Sequence, residues 1–255
     1  MNAISAKTRD RLLYMVSPIV FLIVWQLLVM GGFADRRFIP APSDIAVRFW
    51  RLAVSGELAL HTGVTLLRVF GGFFVGVVPG VAFGLLMAMF KPVRFVVDPL
   101  IAALFPIPKI ALMPLLLLAF GFGDASKIAL VAIAVFFPVC VNTYVGAANI
   151  DKIYWDVAKN YGASQTVMFT RIVFFGALPT IFAGLRIALA VSFIVLVAAE
   201  FVATKSGIGY LIWNSWELLQ VDTMFVGIVT IGILGLITSA LLQEIERKVI
   251  PWKAE

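Results

Sequence analysis

Residues 69–90 read VFGGFFVGVVPGVAFGLLMAMF, a run of 22 residues in which no side chain is charged. An α-helix rises about 1.5 Å per residue, so about 20 apolar residues cross the roughly 30 Å hydrocarbon core of a bilayer. The run has that length and that composition. It therefore predicts a helix that crosses a membrane.

The rest of the chain has the same apolar character. Of its 255 residues, 62% are hydrophobic and 13% are charged, whereas soluble domains are about half apolar and a quarter charged. One histidine and one cysteine exclude a disulfide scaffold and leave no ligand set for a zinc site. No long basic run indicates nucleic acid. We predict an all-α integral membrane protein that packs in lipid, with no metal, cofactor or nucleic-acid partner.

Six stretches are long and apolar enough to span the bilayer, and they form one transmembrane domain over residues 1–255. The first stretch follows Lys7, Arg9 and Arg11, as in a signal peptide, but it is too long for one and no small-residue cleavage site follows it. We therefore predict an uncleaved first helix. The six predicted spans are 14–33, 69–90, 99–120, 128–150, 177–203 and 224–242.

Lysine and arginine residues between the spans indicate the orientation, because they are enriched in cytoplasmic loops. With the N-terminus inside, eleven of these residues lie on the inner side and seven on the outer side. An even number of spans then leaves both termini in the cytoplasm. The inner residues are Lys7, Arg9, Arg11, Lys91, Arg94, Lys152, Lys159, Arg171, Arg247, Lys248 and Lys253, and the outer ones are Arg36, Arg37, Arg48, Arg51, Arg68, Lys127 and Lys205.

Small residues recur at every fourth position of the second span. Lipid tails give no hydrophobic drive for helix association, so helices in a membrane gain stability from close backbone contact, which small residues permit. Three interpretations are open, namely packing within the chain, a dimer interface and a helix that lines a path. The second span has Gly72, Gly76, Gly80 and Gly84, and the fifth has Gly184, Ala188 and Ser192.

The third span contains Pro106, Pro108 and Pro114 around Lys109. Each proline removes a backbone donor and clashes with the preceding turn, and freed carbonyls at membrane depth require protein or a water-filled cavity beside them. We expect a kinked helix. An intramembrane cation usually faces a cavity or a partner, so Lys109 lines a translocation path, snorkels to the membrane surface or pairs with Glu200.

Two further charged residues lie in the fifth span. Arg186 and Glu200 are 14 residues apart, about 21 Å along a helix, so they cannot pair with each other within it. We place Arg186 towards the cytoplasmic end and Glu200 towards the outer end. Each is either an interface anchor or part of a gate on the translocation path.

A polar insert over residues 151–175 separates the fourth and fifth spans. Gly162 is suited to the turn between two short helices and Ser164 to the N-cap of the second. The insert also keeps apolar residues such as Trp155 and Tyr161. We predict a helical hairpin, which is either an ordinary connection or a surface that docks into a groove on a partner protein.

The insert resembles the coupling loop of the permease subunits of type I ABC importers. In that pattern an acid and two alanines precede a glycine, and nine residues separate the glycine from an isoleucine. Asp156, Ala158, Gly162 and Ile172 have this spacing. The chain differs in having Asp156 for glutamate, Val157 for alanine and Phe175 for a common proline.

Further segments resemble the nitrate, sulfonate, taurine and bicarbonate branch of these permeases, and together they cover most of the chain after residue 35. The resemblance implies the type I ABC importer permease fold, six transmembrane helices with a cytoplasmic coupling hairpin. The segments are 39–43, 106–114, 120–123, 126–127, 162–164, 177–188, 199–200, 207–209 and 251–252.

The resemblance also implies partners in a bacterial cytoplasmic membrane. Two ATP-binding subunits dock on 151–175, a soluble substrate-binding protein delivers a small solute to the outer face, and two permeases pair as a homodimer or with a sister chain. The solute is an anion such as a sulfonate, taurine or nitrate. The residues assigned to coupling are Asp156, Ala158, Gly162, Ala163, Ser164 and Ile172, and those assigned to the path or gate are Lys109, Arg186 and Glu200.

Energy for transport must come from elsewhere, because no G-x-x-x-x-G-K-[ST] phosphate loop occurs in the chain. Partner ATPases fit the resemblance, and an ion gradient, as in a secondary transporter, is the alternative. An intramembrane enzyme is disfavoured because catalysis needs an arranged nucleophile, base or metal, and His61 and Cys140 offer little. We therefore predict a transport subunit without catalytic residues.

Overall fold

The computed structural model describes the backbone of residues 3–252 and the side chains of residues 16–202 and 204–252. This part of the chain is helical and contains no strand, which confirms the all-α class. A 3-10 segment, Lys109–Leu112, precedes α5, and a π-helical segment, Met168–Val173, joins α8 to α9. The helices are α1 (Ala3–Met30), α2 (Pro42–Val54), α3 (Glu57–Met89), α4 (Lys91–Leu104), α5 (Met113–Phe120), α6 (Asp124–Ala148), α7 (Lys152–Asn160), α8 (Gln165–Val167), α9 (Phe174–Ala203), α10 (Ile208–Glu217) and α11 (Val221–Val249).

The glycine row of α3 lies directly against α6. A Cβ atom added at Gly72 would lie 2.5 Å from the Cβ of Val131, and one added at Gly84 would lie 2.5 Å from the Cβ of Thr143. Gly76 and Gly80 lie between them and face Val135 and Val139. The sequence left three interpretations open for these glycines. The structure shows that they pack against another helix of the same chain.

The order of these contacts also gives the relative direction of the two helices. Because positions 72 to 84 of α3 meet positions 131 to 143 of α6 in ascending order, α3 and α6 are parallel. Helix α9 runs the opposite way, since Gly184 packs on Asn142 and Thr180 packs on Gly146. The three helices enclose the main apolar core, which includes Val69, Val131, Val135, Val139 and Leu196.

Parallel packing of α3 and α6 requires the chain between them to return from one end of the bundle to the other. The return is made by α4 and α5, whose axes differ by 94° at the break between them. The single helix predicted over 99–120 is thus two helices, and the first of them begins at Lys91. Pro106 and Pro108 lie in the break, which explains it, because neither can donate a backbone hydrogen bond.

Four helical stretches are long and apolar enough to cross a membrane, and the bent α4–α5 pair makes a fifth. Helix α1 adds a shorter apolar stretch, Val16–Met30, so the total of six spans stays a prediction. Lys7, Arg9 and Arg11, which support a cytoplasmic N-terminus, lie outside the described side chains. The four stretches are Glu57–Met89, Asp124–Ala148, Gln165–Val202 and Val221–Val249.

The two ends of the bundle differ in the segments that cover them. At one end α3, α6 and α11 begin and α9 finishes, and α2 and α10 pack there through Ile45, Leu52, Ile208 and Leu211. We call this the Glu200 end. At the other end α6 finishes and α9 begins, and the segment 151–173 connects them. We call this the hairpin end.

We expect Gly76→Val to destabilise the bundle, because the added Cβ would lie 2.9 Å from the Cβ of Val135 and would force α3 and α6 apart. Overpacking a close-packed interior costs about 1–3 kcal/mol, so the Tm of the purified protein in detergent should fall. Gly232→Val is the matched control, since nothing lies within 4 Å of the Cβ position at Gly232. Equal melting temperatures for the two variants would contradict the assigned contact.

Candidate functional site

The first limb of the hairpin is α7, which is fixed at both ends by hydrogen bonds. The carboxylate of Asp151 accepts a 3.0 Å hydrogen bond from the backbone N–H of Ile153 and so caps the N-terminus. At the C-terminus, Gly162 N–H donates to the carbonyl of Lys159 and Ala163 N–H donates to that of Ala158, both at 2.9 Å. This pair of bonds is a Schellman motif.

Gly162 occupies the left-handed position of that motif, with φ of +69°. A side chain there would meet no neighbouring atom within 4 Å, so the constraint on this position is backbone conformation and not space. Glycine adopts the left-handed region without cost, whereas other L-residues are strained by about 1–2 kcal/mol. The predicted turn is confirmed, and its sharpness depends on this residue.

The second limb runs without a break into the membrane bundle. The hydroxyl of Ser164 accepts a 3.3 Å hydrogen bond from Val167 N–H, as the sequence predicts for an N-cap. Helix α8 then continues through the π-helical segment 168–173 into α9. Met168 and Val173 are buried at this junction, so the hairpin is attached to α9 by packed, helical backbone.

The hairpin presents an apolar surface that no described residue covers. Four of the exposed side chains lie on α7 and its turn and one, Val167, lies on α8, and Tyr161, the most exposed of them, has 89% of its surface accessible. Of the residues assigned to coupling, Asp156, Gly162 and Ser164 are exposed, Ala163 and Ile172 are half-buried and Ala158 is buried. The exposed apolar side chains are Ile153, Tyr154, Val157, Tyr161 and Val167.

A cavity of about 410 Å³ lies at the root of the hairpin. Its wall combines the two limbs with the end of the chain, since Tyr154 belongs to α7, Ile172 to the π-helical segment and Trp252 follows α11. Phe175 contacts Trp252 at a ring-centroid distance of 6.0 Å. The root therefore contains a partly aromatic cavity, whereas α7 exposes apolar side chains beside it.

A buried ion pair joins three helices at the opposite end of the bundle. Glu200 of α9 has no accessible surface and Arg68 of α3 has 4%. Arg68 Nη1 donates to Glu200 Oε1 at 2.7 Å, and Arg68 Nε donates to Asp124 Oδ1 of α6, also at 2.7 Å. One guanidinium thus connects α3, α6 and α9.

The remaining hydrogen bonds to the Glu200 carboxylate come from α3 and from the start of α10. The hydroxyl of Thr65 lies 3.1 Å from each Glu200 oxygen, and Gly209 N–H donates to Oε2 at 2.8 Å. Nearby, Gly207 N–H donates to Nδ1 of His61 at 3.0 Å. A Cβ at Gly209 would lie 2.7 Å from that of Glu200, so glycine is required for this approach.

Sequence reasoning singled out Glu200 but not Arg68. Arg68 immediately precedes the uncharged run 69–90, and the sequence pattern indicates only that it is one of the basic residues on the outer side. It is 132 residues from Glu200, and nothing in the local pattern connects the two. The interpretation of Glu200 as an interface anchor is wrong, because its side chain is completely buried.

Lys109 binds backbone carbonyls at the break in the third span. Its ammonium donates hydrogen bonds to the carbonyls of Leu104, Phe105 and Ile107 at 2.9–3.0 Å, and it lies 4.4 Å from the ring centroid of Phe137. The Lys109–Glu200 pair considered from the sequence does not form. The broken helix frees carbonyl oxygens, and Lys109 satisfies them.

Arg186 forms an ion pair with another helix of the bundle. Its guanidinium forms a salt bridge with Glu246 of α11, and Glu246 is buried while Arg186 is half-exposed. This contact ties α9 to α11 towards the hairpin end. Two of the three residues assigned to the path, Arg186 and Glu200, are therefore in interhelical ion pairs.

Charged side chains on α2 and just before it form hydrogen bonds at the Glu200 end of the bundle. Arg36 donates two hydrogen bonds to the carboxylate of Asp44, at 2.7 and 2.5 Å, and these bonds lower the pKa of Asp44 below its usual value. Arg48 donates to Thr223 Oγ1 at 2.7 Å and so ties α2 to α11. Over the described range, no three His, Cys, Asp or Glu side chains are grouped for a metal ion.

Comparison with known proteins extends over nearly the whole chain. Residues 80–251 match the model of a family described as binding-protein-dependent transport system inner membrane component. SsuC of Escherichia coli strain K12, named for aliphatic sulfonates transport, is 36% identical over 92% of this chain and 89% of its own length. TauC of the same strain, a taurine transport system permease, is 31% identical over 92% and 88%. NrtB of Synechocystis sp., a nitrate import permease, is 29% identical over 92% and 88%.

We expect Arg68→Met to lower the stability of the bundle by about 3–5 kcal/mol, because it leaves the buried carboxylate of Glu200 without its ion-pair partner. Thermal unfolding in detergent measures the change. Arg37→Met is the matched control, since Arg37 pairs with Asp35 on the surface, and such pairs contribute about 0–1 kcal/mol.

The double variant Arg68→Met/Glu200→Met should recover part of the lost stability, because it removes the buried charge together with its partner. If Arg68→Met and Arg37→Met melt at the same temperature, the ion pair does not stabilise the Glu200 end.

Proposed function

Because the chain belongs to the family of binding-protein-dependent transport system inner membrane components, we propose that it forms the membrane path of an ATP-driven importer for a small anion. Within the family it is a type I ABC importer permease of the sulfonate, taurine and nitrate branch. What the proposal adds is the solute, the positions of the partners and the roles of individual residues.

The hairpin end is the docking site for two ATP-binding subunits, one on each permease. The observation that carries this assignment is the uncovered apolar face of Ile153, Tyr154, Val157 and Tyr161. These side chains project from a short helix at the end of the bundle, where a groove on a partner protein can receive them. Asp156 and Ser164 add polar groups beside that face.

The hairpin transmits movement to the path through its second limb. Because α8, the π-helical segment and α9 form one continuous helical rod, a displacement of Gly162 and its turn moves α9 as a rigid body. Packed helices respond to such displacements by rotation or shear. Arg186, through Glu246, carries the movement on to α11.

Energy for this movement comes from the partner subunits. Proteins that bind ATP through a phosphate loop have the sequence motif G-x-x-x-x-G-K-[ST]. This chain does not contain that motif. The chain therefore acts as a transport subunit and not as an ATPase. Its work is to convert closure of the ATPase pair into alternate opening of the path.

The Glu200 end faces outwards and receives the binding protein. Helices α2 and α10 cover this end, and a cavity of about 470 Å³ lies between α2 and the start of α11. Arg36, Arg48 and Arg51 line that cavity with Asp44 and Asp222. A polar surface of this kind suits a soluble partner. With this end outside, the hairpin lies in the cytoplasm, as do both termini.

The solute is a small organic or inorganic anion. The relatives named above are permeases for aliphatic sulfonates, taurine and nitrate, which supports an anion as the shared class. Two copies of the chain, or the chain and a sister permease, enclose the path. Glu200 and Arg68 close its outer end, and Lys109 shapes the break in the third span beside it.

We expect Gly162→Val to reduce uptake about fivefold or more, because a β-branched residue is strained at φ of +69°. Strain of about 1 kcal/mol shifts the conformational equilibrium of the turn away from the docking conformation by a factor of about five. The Tm should fall much less than in Gly76→Val, because the turn at Gly162 touches no packed neighbour and can relax without separating the bundle helices. The measurement is ATP-dependent uptake of ethanesulfonate, taurine or nitrate by proteoliposomes that contain the chain, its ATPase and its binding protein.

Gly162→Asn should be less impaired, since asparagine tolerates the left-handed region, and Gly232→Val should transport normally. Normal uptake by Gly162→Val would contradict the coupling role. Uptake that needs a proton or sodium gradient and no ATPase would show a secondary transporter instead.

A further inference from the structure

A second cavity, of about 530 Å³, opens at the Glu200 end. It lies where the α5–α6 connection meets the segment that follows α9. Arg68 forms its floor, and the other lining residues come from these two segments. They are Phe122, Thr204, Lys205 and Ser206, and Val202 from the last turn of α9 completes the lining.

Lys205 is the cation at the mouth of this cavity. Its side chain is exposed, and it forms no ion pair with any side chain in the described ranges. Ser206 adjoins it, and its hydroxyl accepts only a long, 3.5 Å hydrogen bond from Arg68 Nη2. That hydroxyl can therefore donate to a ligand. Lys205 and Ser206 together provide a charge and a donor for an oxyanion.

The charges around the cavity favour an anion over a cation. Arg68, Lys127 and Lys205 contribute three positive charges, and Asp124 and Glu200 contribute two negative charges. Both carboxylates accept hydrogen bonds from Arg68, so they face the floor. The positive charge that is not matched belongs to Lys205, at the surface.

The side walls of the cavity are apolar. Phe122 and Val202 are both largely exposed there. Lys127 holds the loop that carries Phe122, because its ammonium donates hydrogen bonds to the carbonyls of Phe122 and Gly123 at 2.6 and 3.2 Å. The cavity thus combines a cationic mouth, a hydroxyl donor and an aromatic side chain on a loop whose backbone Lys127 holds.

We propose that this cavity is an entry subsite for a soluble organic anion, whose sulfonate or carboxylate group binds Lys205 and Ser206 while its apolar part contacts Phe122 and Val202. The assignment rests on the proposed function and specifies it, since it favours an anion with an apolar tail over nitrate. The same head-group chemistry occurs in anionic lipids, so the test must separate the two sources.

The test uses the electrostatic field of the cavity and requires no transport. Val202→Cys places a thiol in the wall, and the native Cys140 has no accessible surface. The rates of modification by 2-sulfonatoethyl and 2-(trimethylammonio)ethyl methanethiosulfonate are compared in phosphatidylcholine nanodiscs at low ionic strength. A unit charge about 6 Å away in a water-like dielectric shifts this rate ratio about tenfold, since the reagents differ by two charges.

We expect the ratio of the anionic to the cationic modification rate to be about tenfold higher for the thiol of the Val202→Cys protein than for mercaptoethanol, which serves as the reference thiol. Adding Lys205→Gln should abolish the preference, whereas adding Arg51→Gln, which removes an exposed cation on α2, should not. Ethanesulfonate should slow the modification in the Val202→Cys protein.

Several results would overturn the proposal. They are an absent preference, a preference that survives Lys205→Gln, no protection by ethanesulfonate, or protection that appears only when phosphatidylglycerol replaces phosphatidylcholine. None of these results depends on ATP or on a binding protein, so failure of the subsite is distinguishable from failure of the importer function.

Discussion

Close parallel contact between α3 and α6 is the constraint on which the rest of the structure depends. At Gly72 and Gly84 an added Cβ would lie 2.5 Å from its neighbour, so only glycine allows the two backbones to approach. Since both helices begin at the same end, residues 90–123 must return along the bundle, and the connection from α6 to α9 must lie at the opposite end. The position of the hairpin follows from the glycine row.

Helix α9 links the two ends. It begins at the π-helical segment beside the hairpin and carries Glu200 near its other end, about 40 Å away at about 1.5 Å per residue. Under the proposed function, movement of the hairpin reaches Arg68 and Asp124 through this helix. Under the proposed function, ATPase closure at one end changes the packing of α3, α6 and α9 at the other, where the anion enters.

The sequence was sufficient for four long helical spans and for the hairpin turn, because both depend on local properties: long apolar runs, and a glycine after a short helix. The glycine spacing predicted close packing but not its partner, since spacing on one helix carries no information about the other. The Arg68–Glu200 pair was missed for the same reason. Lys109 was expected to face a path or a carboxylate, but carbonyls freed by the adjacent break satisfy it.

The central claim, that the hairpin lies in the cytoplasm and is covered by an ATPase, is tested most directly by sidedness of labelling. Tyr161→Cys and Val54→Cys place exposed thiols at the hairpin end and the Glu200 end, respectively. A membrane-impermeant maleimide should modify Tyr161→Cys only from the cytoplasmic side, with protection when the ATPase is bound, and Val54→Cys only from outside. Modification of Tyr161→Cys from outside, or no protection by the ATPase, would contradict the account.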